Sequence, residues 1–121
     1  RLDKARREQV VLATKITGGA NVTSRNIVRD CEGSLSRLST DYVDLYLLHW
    51  PARYTPQANW GQSLRYVHEN EEAPWFKSAI GFEEMALAME KLIEAGKIRG
   101  WGFCNDNAYG LAAAAGAARL R

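Results

Sequence analysis

Residues 43–51 read Val-Asp-Leu-Tyr-Leu-Leu-His-Trp-Pro, and the fold turns on this stretch. Val43 to Leu48 is too short and too apolar for a surface helix and reads as a strand. Pro51 cannot donate to a sheet ladder, so the strand stops with His49 and Trp50 at its carboxyl end. Upstream, Ile27, Cys31, Leu35 and Leu38 recur at spacings of four, four and three, which draws one apolar stripe along a helix. Thr23 or Ser24 can cap that helix, because a hydroxyl accepts from the free amides of a first turn. Arg25, Arg29, Glu32 and Ser36 make its polar face. Further upstream, Val10-Val11-Leu12-Ala13 is closed by Thr14-Lys15-Ile16 and the turn residues Gly18-Gly19. That run reads as a strand buried on both faces, as in a parallel sheet. Residues 1–8 are polar and helix-compatible, like the last turns of a helix that starts earlier.

Downstream, residues 51 to about 80 lack a clear period and hold Pro56 and Pro74. A connection of that length inside a compact domain tends to be functional or mobile. Phe82, Met85, Ala86, Met89, Leu92 and Ile93 restore the helical period, and Gly96 sits where a helix C-terminal glycine belongs. Ile98 to Cys104 predicts a third strand. Asn105-Asp106-Asn107 offers caps for an Ala-rich last helix from about Ala108 to Leu120. Strands alternating with helices at this spacing imply right-handed βαβ crossovers and a parallel sheet, an α/β fold.

The composition narrows the function classes. At 121 residues the chain fits one domain and can bury roughly two-thirds of its unfolded surface. Apolar residues at 46% and charged residues at 25% exclude disordered and low-complexity classes. No window approaches the ~18 consecutive apolar residues of a spanning helix. A net charge of +2 is too small to argue for nucleic acid or an anionic membrane. The positive cluster Arg1, Lys4, Arg6 and Arg7 reads as a solvated helix face. Cys31 and Cys104 have no short Cys or His spacing around them, so neither a metal site nor a disulfide framework is suggested. A reducing, cytoplasmic compartment is the expectation.

The unusual residues share a position. Lys15 ends the first strand, His49 the second and Cys104-Asn105 the third, all at the carboxyl ends where α/β folds build their sites. Each also has a structural reading. Lys15 after an apolar run can extend from the strand end to water. His49 beside Trp50 can be a satisfied structural histidine or can donate to a substrate carbonyl. Asn105 can cap the last helix or offer its amide to a flat polar ligand. Asp44, inside an apolar strand, must find a hydrogen-bond partner or face out, and reads as structural. His68, in the long segment, has no context that gives it a role. No Gly-x-Gly-x-x-Gly, phosphate-loop, Gly-x-Ser-x-Gly or zinc motif occurs.

Three stretches resemble the aldo-keto reductases: Leu12-Ala13-Thr14-Lys15-Ile16, Ser34 through Pro51, and Ala95 through Asn105. The resemblance runs in order from about residue 10 to 107, and Pro51-Ala52-Arg53-Tyr54-Thr55-Pro56 looks like the branch of potassium-channel-β-like bacterial and plant reductases. It implies a (β/α)₈ barrel moving a hydride from NADPH to an aldehyde or ketone. In that family an Asp, a Tyr, a Lys and a His form the catalytic set, with Tyr the general acid. Lys15 matches the lysine whose charge assists the tyrosine, and His49 the histidine that orients the carbonyl. Cys104 and Asn105 match a Ser-Asn pair that holds the nicotinamide carboxamide, with Cys a weaker partner than Ser. Trp50 and Tyr54, with Trp60 and Trp75, are candidates to line a substrate pocket, although packing serves each equally well.

None of the tyrosines at 42, 46, 54, 66 and 109 sits in the family's Asp-x-x-x-Tyr setting. The resemblance therefore implies a partial barrel, about three βα units (strands 3–5), within one incomplete domain over residues 1–121. Two expectations follow: a segment of an NADPH-dependent carbonyl reductase, inactive alone, or a self-standing half-barrel that binds or assembles without catalysis.

Overall fold

The computed structural model describes residues 3–52 and 80–119. In chain order they form α1 (Lys4–Glu8), β1 (Ala13–Ile16), a 3₁₀ turn (Gly19–Asn21), α2 (Ser24–Leu38), β2 (Val43–Leu48), α3 (Phe82–Glu94), β3 (Ile98–Phe103) and α4 (Ala108–Arg119). The three strands make one parallel sheet in the order β1-β2-β3.

The helix boundaries have local causes. The Thr23 hydroxyl accepts from the Asn26 N–H at 3.1 Å and opens α2. Gly96, at φ 68°, lets the chain leave α3 in the left-handed region. The Asn107 Oδ1 accepts from the Gly110 N–H at 2.9 Å and opens α4.

Register then assigns the faces, since paired residues in a ladder share one. Thr14, Tyr46 and Trp101 align, as do Ile16, Leu48 and Phe103. This face meets the helices: Ile16, Tyr46 and Leu48 are buried with Ile27 and Cys31 of α2 and Met85, Met89 and Leu92 of α3. The Tyr46 hydroxyl donates to the Ile27 carbonyl at 3.2 Å, so the ring is buried without an orphaned polar atom. Burying each large side chain of this cluster contributes about 1.5–3 kcal/mol. On the opposite face, Ala13, Leu45 and Gly100 align, then Lys15, Leu47 and Gly102, and none of these six is buried. Gly102 leaves room there for Leu47, whose Cδ2 would lie 3.3 Å from a Cβ at that position.

At the amino ends of the strands a charged cluster closes the sheet. Arg7 donates to the Val10 and Tyr42 carbonyls, the Thr40 hydroxyl and the Asp44 carboxylate at 2.8–3.0 Å. Asp44 also accepts from the Leu12 N–H at 2.9 Å and from Arg99 at 3.1 Å. The Arg7 and Arg99 guanidinium carbons lie 4.0 and 4.5 Å from the centre of the Tyr42 ring. The Leu12 amide, then the Arg7 guanidinium, hold the Asp44 carboxyl below the usual carboxylate range. The partner that Asp44 requires is therefore present several times over.

Four expectations change. Val10 and Val11 are exposed and precede the strand, which begins at Ala13 and carries exposed Ala13 and Lys15 instead of being buried on both faces. The cause is α1, whose closing turn takes the Val10 amide to the Arg7 carbonyl. That helix also starts within the described chain, at Asp3, whose side chain accepts from the Arg6 N–H. Arg7 leaves the solvated group altogether, being 7% exposed. On the stripes of α2 and α3, Leu38 and Ile93 are exposed.

Candidate active site

Lys15, His49, Cys104 and Asn105 reach the same edge of the sheet because β1, β2 and β3 run parallel and in register. Lys15 pairs with Leu47 and stands exposed on the face that no described helix covers, with no ion pair to any described residue. It borders a groove of about 280 Å³ between β1 and α2, shared with Thr17, Arg29, Asp30, Ser34 and Arg37. His49 follows β2 directly, at the same carboxyl end of the sheet as Lys15. His49 is half-buried, and its ring is 5.9 Å from that of Trp50, tilted by 35°.

Backbone bonds fix the His49 segment from several directions. The His49 N–H donates to the Ile16 carbonyl at 2.9 Å, which ties it to β1. The Cys104 N–H donates to the Leu48 carbonyl at 2.8 Å, the last rung toward β3. One residue on, the Asn105 Nδ2 donates to the His49 carbonyl at 2.7 Å. The capping reading of Asn105 is therefore replaced by this cross-strand contact, and Asn107 does the capping. Asn105 adopts φ 52°, a left-handed conformation that Asn tolerates better than most residues.

Sequence reasoning found the glycine pair after β1 only as a turn. Gly18, at φ 101°, lies so close to the next loop that a Cβ there would fall 2.4 Å from the Trp50 carbonyl oxygen. The Gly19 N–H then donates to the Pro51 carbonyl at 3.2 Å. The signal was in the sequence, but its partner lies more than thirty residues away.

The two thiols differ. Cys31 sits on the buried face of α2 with no exposed surface, and burial pushes its thiol up to about 11, opposed by Lys97 and reinforced by Glu32. Cys104 is half-buried at the strand edge, a neighbour of Asn105. Tyr54, Trp60, Trp75 and His68 lie outside the described residues. Among the described residues no three His, Cys, Asp or Glu side chains gather around a metal position, and no helix is long and apolar enough to cross a membrane.

The chain as a whole is similar to known proteins. An aldo-keto reductase of Babesia bovis is 35% identical over 113 residues, covering 84% of this chain and 39% of its own length. A thermostable aldo-keto reductase solved with the inhibitor epalrestat superposes with a TM-score of 0.67 at 29% identity, over 94% of this chain and 32% of that one. A Klebsiella pneumoniae aldo/keto reductase solved with NADP and acetate superposes with a TM-score of 0.60 at 33% identity, over 91% of this chain and 29% of that one. The chain thus spans about a third of the length of these proteins. The sequence profile of the Aldo/keto reductase family matches residues 1–119, and with that extent of agreement the chain belongs to this family.

Proposed function

We propose that residues 1–121 are one incomplete domain, about three βα units (strands 3–5) of a (β/α)₈ barrel, and serve an NADPH-dependent reduction of an aldehyde or ketone. The observation that carries this reading is the convergence of Lys15, His49 and Asn105 on one carboxyl edge of a parallel sheet. Support comes also from the face that no described helix covers, whose exposed lysine, half-buried leucines and glycines suit the inside of a barrel better than a solvent surface. The fit to a nicotinamide rests on Asn105. Its nitrogen is engaged by a carbonyl, so its Oδ1 is the end left to accept from a flat amide. The half-exposed Cys104 thiol beside it adds a weak donor. When bound, NADPH supplies the hydride.

Each residue of the chain then has a task. The imidazole of His49 donates to the carbonyl oxygen and fixes its direction. The Lys15 ammonium adds positive charge where negative charge develops on that oxygen. Trp50 and Tyr54 border the substrate. The proton itself needs an acid that none of the chain's tyrosines matches in setting, so the 121-residue chain alone is expected to be inactive. Two widely spaced free thiols agree with a cytoplasmic setting.

The test is NADPH consumption followed at 25 °C with an aromatic aldehyde, in the 121-residue chain and in a whole-length protein that carries it. The reading expects turnover only in the second, reduced but still measurable on His49→Gln. Turnover by the 121-residue chain would overturn the assignment of the missing acid. A second reading, a half-barrel that assembles, draws on β1 and β3 each pairing on one side only among the described residues. Concentration-dependent self-association of the chain by sedimentation is its distinguishing result.

A further inference from the structure

The β2–β3 ladder ends with the Cys104 N–H on the Leu48 carbonyl, and among the described residues no backbone N–H is bonded to the carbonyl of His49. A carbonyl at a strand end can take its donor from water, which leaves the peptide free to rock. Here a side chain supplies the donor: the Asn105 Nδ2 donates at 2.7 Å. The geometry needed for this is unusual, because Asn105 must turn its side chain back across the strand end, and it does so at φ 52°. On the other side the His49 N–H is held by the Ile16 carbonyl at 2.9 Å. The peptide groups flanking the imidazole are thus tied to both neighbouring strands, one by the ladder and one by a single amide.

We infer that Asn105 is a positioning residue for His49, fixing the carbonyl of that residue with its nitrogen while its oxygen remains for the nicotinamide amide. One side chain then couples cofactor contact to the aim of the imidazole toward the substrate. The inference rests on the reading given under Proposed function. It also adds a dependence which that reading lacks: part of the effect of Asn105 on turnover passes through His49.

Asn105→Gly is the informative variant, because glycine accepts φ 52° without strain and removes only the side chain. Asn105→Asp is its partner: it keeps shape and oxygens but, ionised, has no N–H to donate. The first readout is the His49 imidazole resonance by NMR in the cofactor-free whole-length protein, assigned by its loss in His49→Gln. It should shift in both Asn105 variants and stay in place in Asn107→Ala, which removes a helix cap two residues away. The second is kcat at saturating NADPH, expected to fall about 10- to 100-fold in Asn105→Gly. In the His49→Gln background the same change should cost less than about 2-fold. The third is the NADPH dissociation constant by fluorescence, expected to rise about 3- to 10-fold with loss of one hydrogen bond.

An unmoved His49 resonance in both Asn105 variants would overturn the inference. So would an equal kcat loss with and without His49, or an effect confined to NADPH affinity. If the unsubstituted whole-length protein turns over no aldehyde with NADPH, the reading under Proposed function fails, and the resonance still decides whether Asn105 positions His49.

Discussion

At the amino ends of the strands Arg7, Asp44 and Arg99 close on one another around Tyr42, whereas at the carboxyl ends Lys15, His49, Cys104 and Asn105 stay partly or wholly open to solvent. The two ends belong to the same three strands, so the difference does not come from the ladder. At the closed end Arg7 and Arg99 each have a carboxylate or carbonyl within hydrogen-bond distance, and Asp44 gathers donors from a loop, a helix and a strand. At the open end the backbone is held firmly, and of these four side chains only that of Asn105 is hydrogen-bonded among the described residues, to the His49 carbonyl. Stability is thus concentrated where chemistry is absent. The groups with chemical capacity stand on a rigid frame without being consumed by it, which agrees with the division of labour in α/β folds.

Removing Arg7 is the strongest way to break the contrast. Arg7→Ala deletes a buried guanidinium that serves two carbonyls, a hydroxyl and a carboxylate, and the expected loss is about 3 kcal/mol, read from the urea midpoint. A loss under about 1 kcal/mol would show that this end is not a closure. Gly18→Ala attacks the open end through its frame. The φ of 101° and the approach to Trp50 together predict a loss of about 2–3 kcal/mol. A neutral result would mean that the loops after β1 and β2 are not locked together.

How much of this could be read from the sequence follows from the range of each interaction. The βαβ order, the Thr23 and Asn107 caps and the Gly96 exit are written within four residues of where they act, and all were readable. Arg7 was misread because its partners Thr40, Tyr42 and Asp44 lie 33 to 37 positions away, beyond any periodicity. Val10 and Val11 misled for a related reason: their composition suits a strand, but the amide of Val10 is already taken by the turn that closes α1. At the site, strand ends could be counted off, so Lys15, His49 and Asn105 were found as positions. Which way Asn105 turns was not readable, since cap and cross-strand contact need the same residue type.

Acid separates the two ends more gently. Asp44 has its carboxyl held below the ordinary range in the folded chain, chiefly by the Leu12 amide. A depressed folded pKa contributes stability that is present above the unfolded value and lost as pH falls through the folded one. The urea midpoint should therefore hold from pH 7 to about pH 5 and decline below about pH 4. In Asp44→Asn, which starts lower, that decline should be shallower. Equal slopes in the two proteins would remove Asp44 from the account of acid sensitivity.

The smallest effect makes the sharpest comparison. Lys15 is exposed, pairs through its backbone with Leu47, and has no ion pair among the described residues. Lys15→Met keeps the length and apolar stem of the side chain and removes only the charge, so the ladder and the neighbouring groove are preserved. The expected change in unfolding free energy is within about 0.5 kcal/mol, the range of surface substitutions that touch no special feature. If Lys15 instead belonged to the scaffold, as Arg7 does, loss of its charge would cost more than about 1 kcal/mol and lower the urea midpoint visibly. A stable Lys15→Met chain beside a crippled Arg7→Ala chain would show that two cations at opposite ends of adjacent strands differ in kind, one spent on folding and the other left available for chemistry.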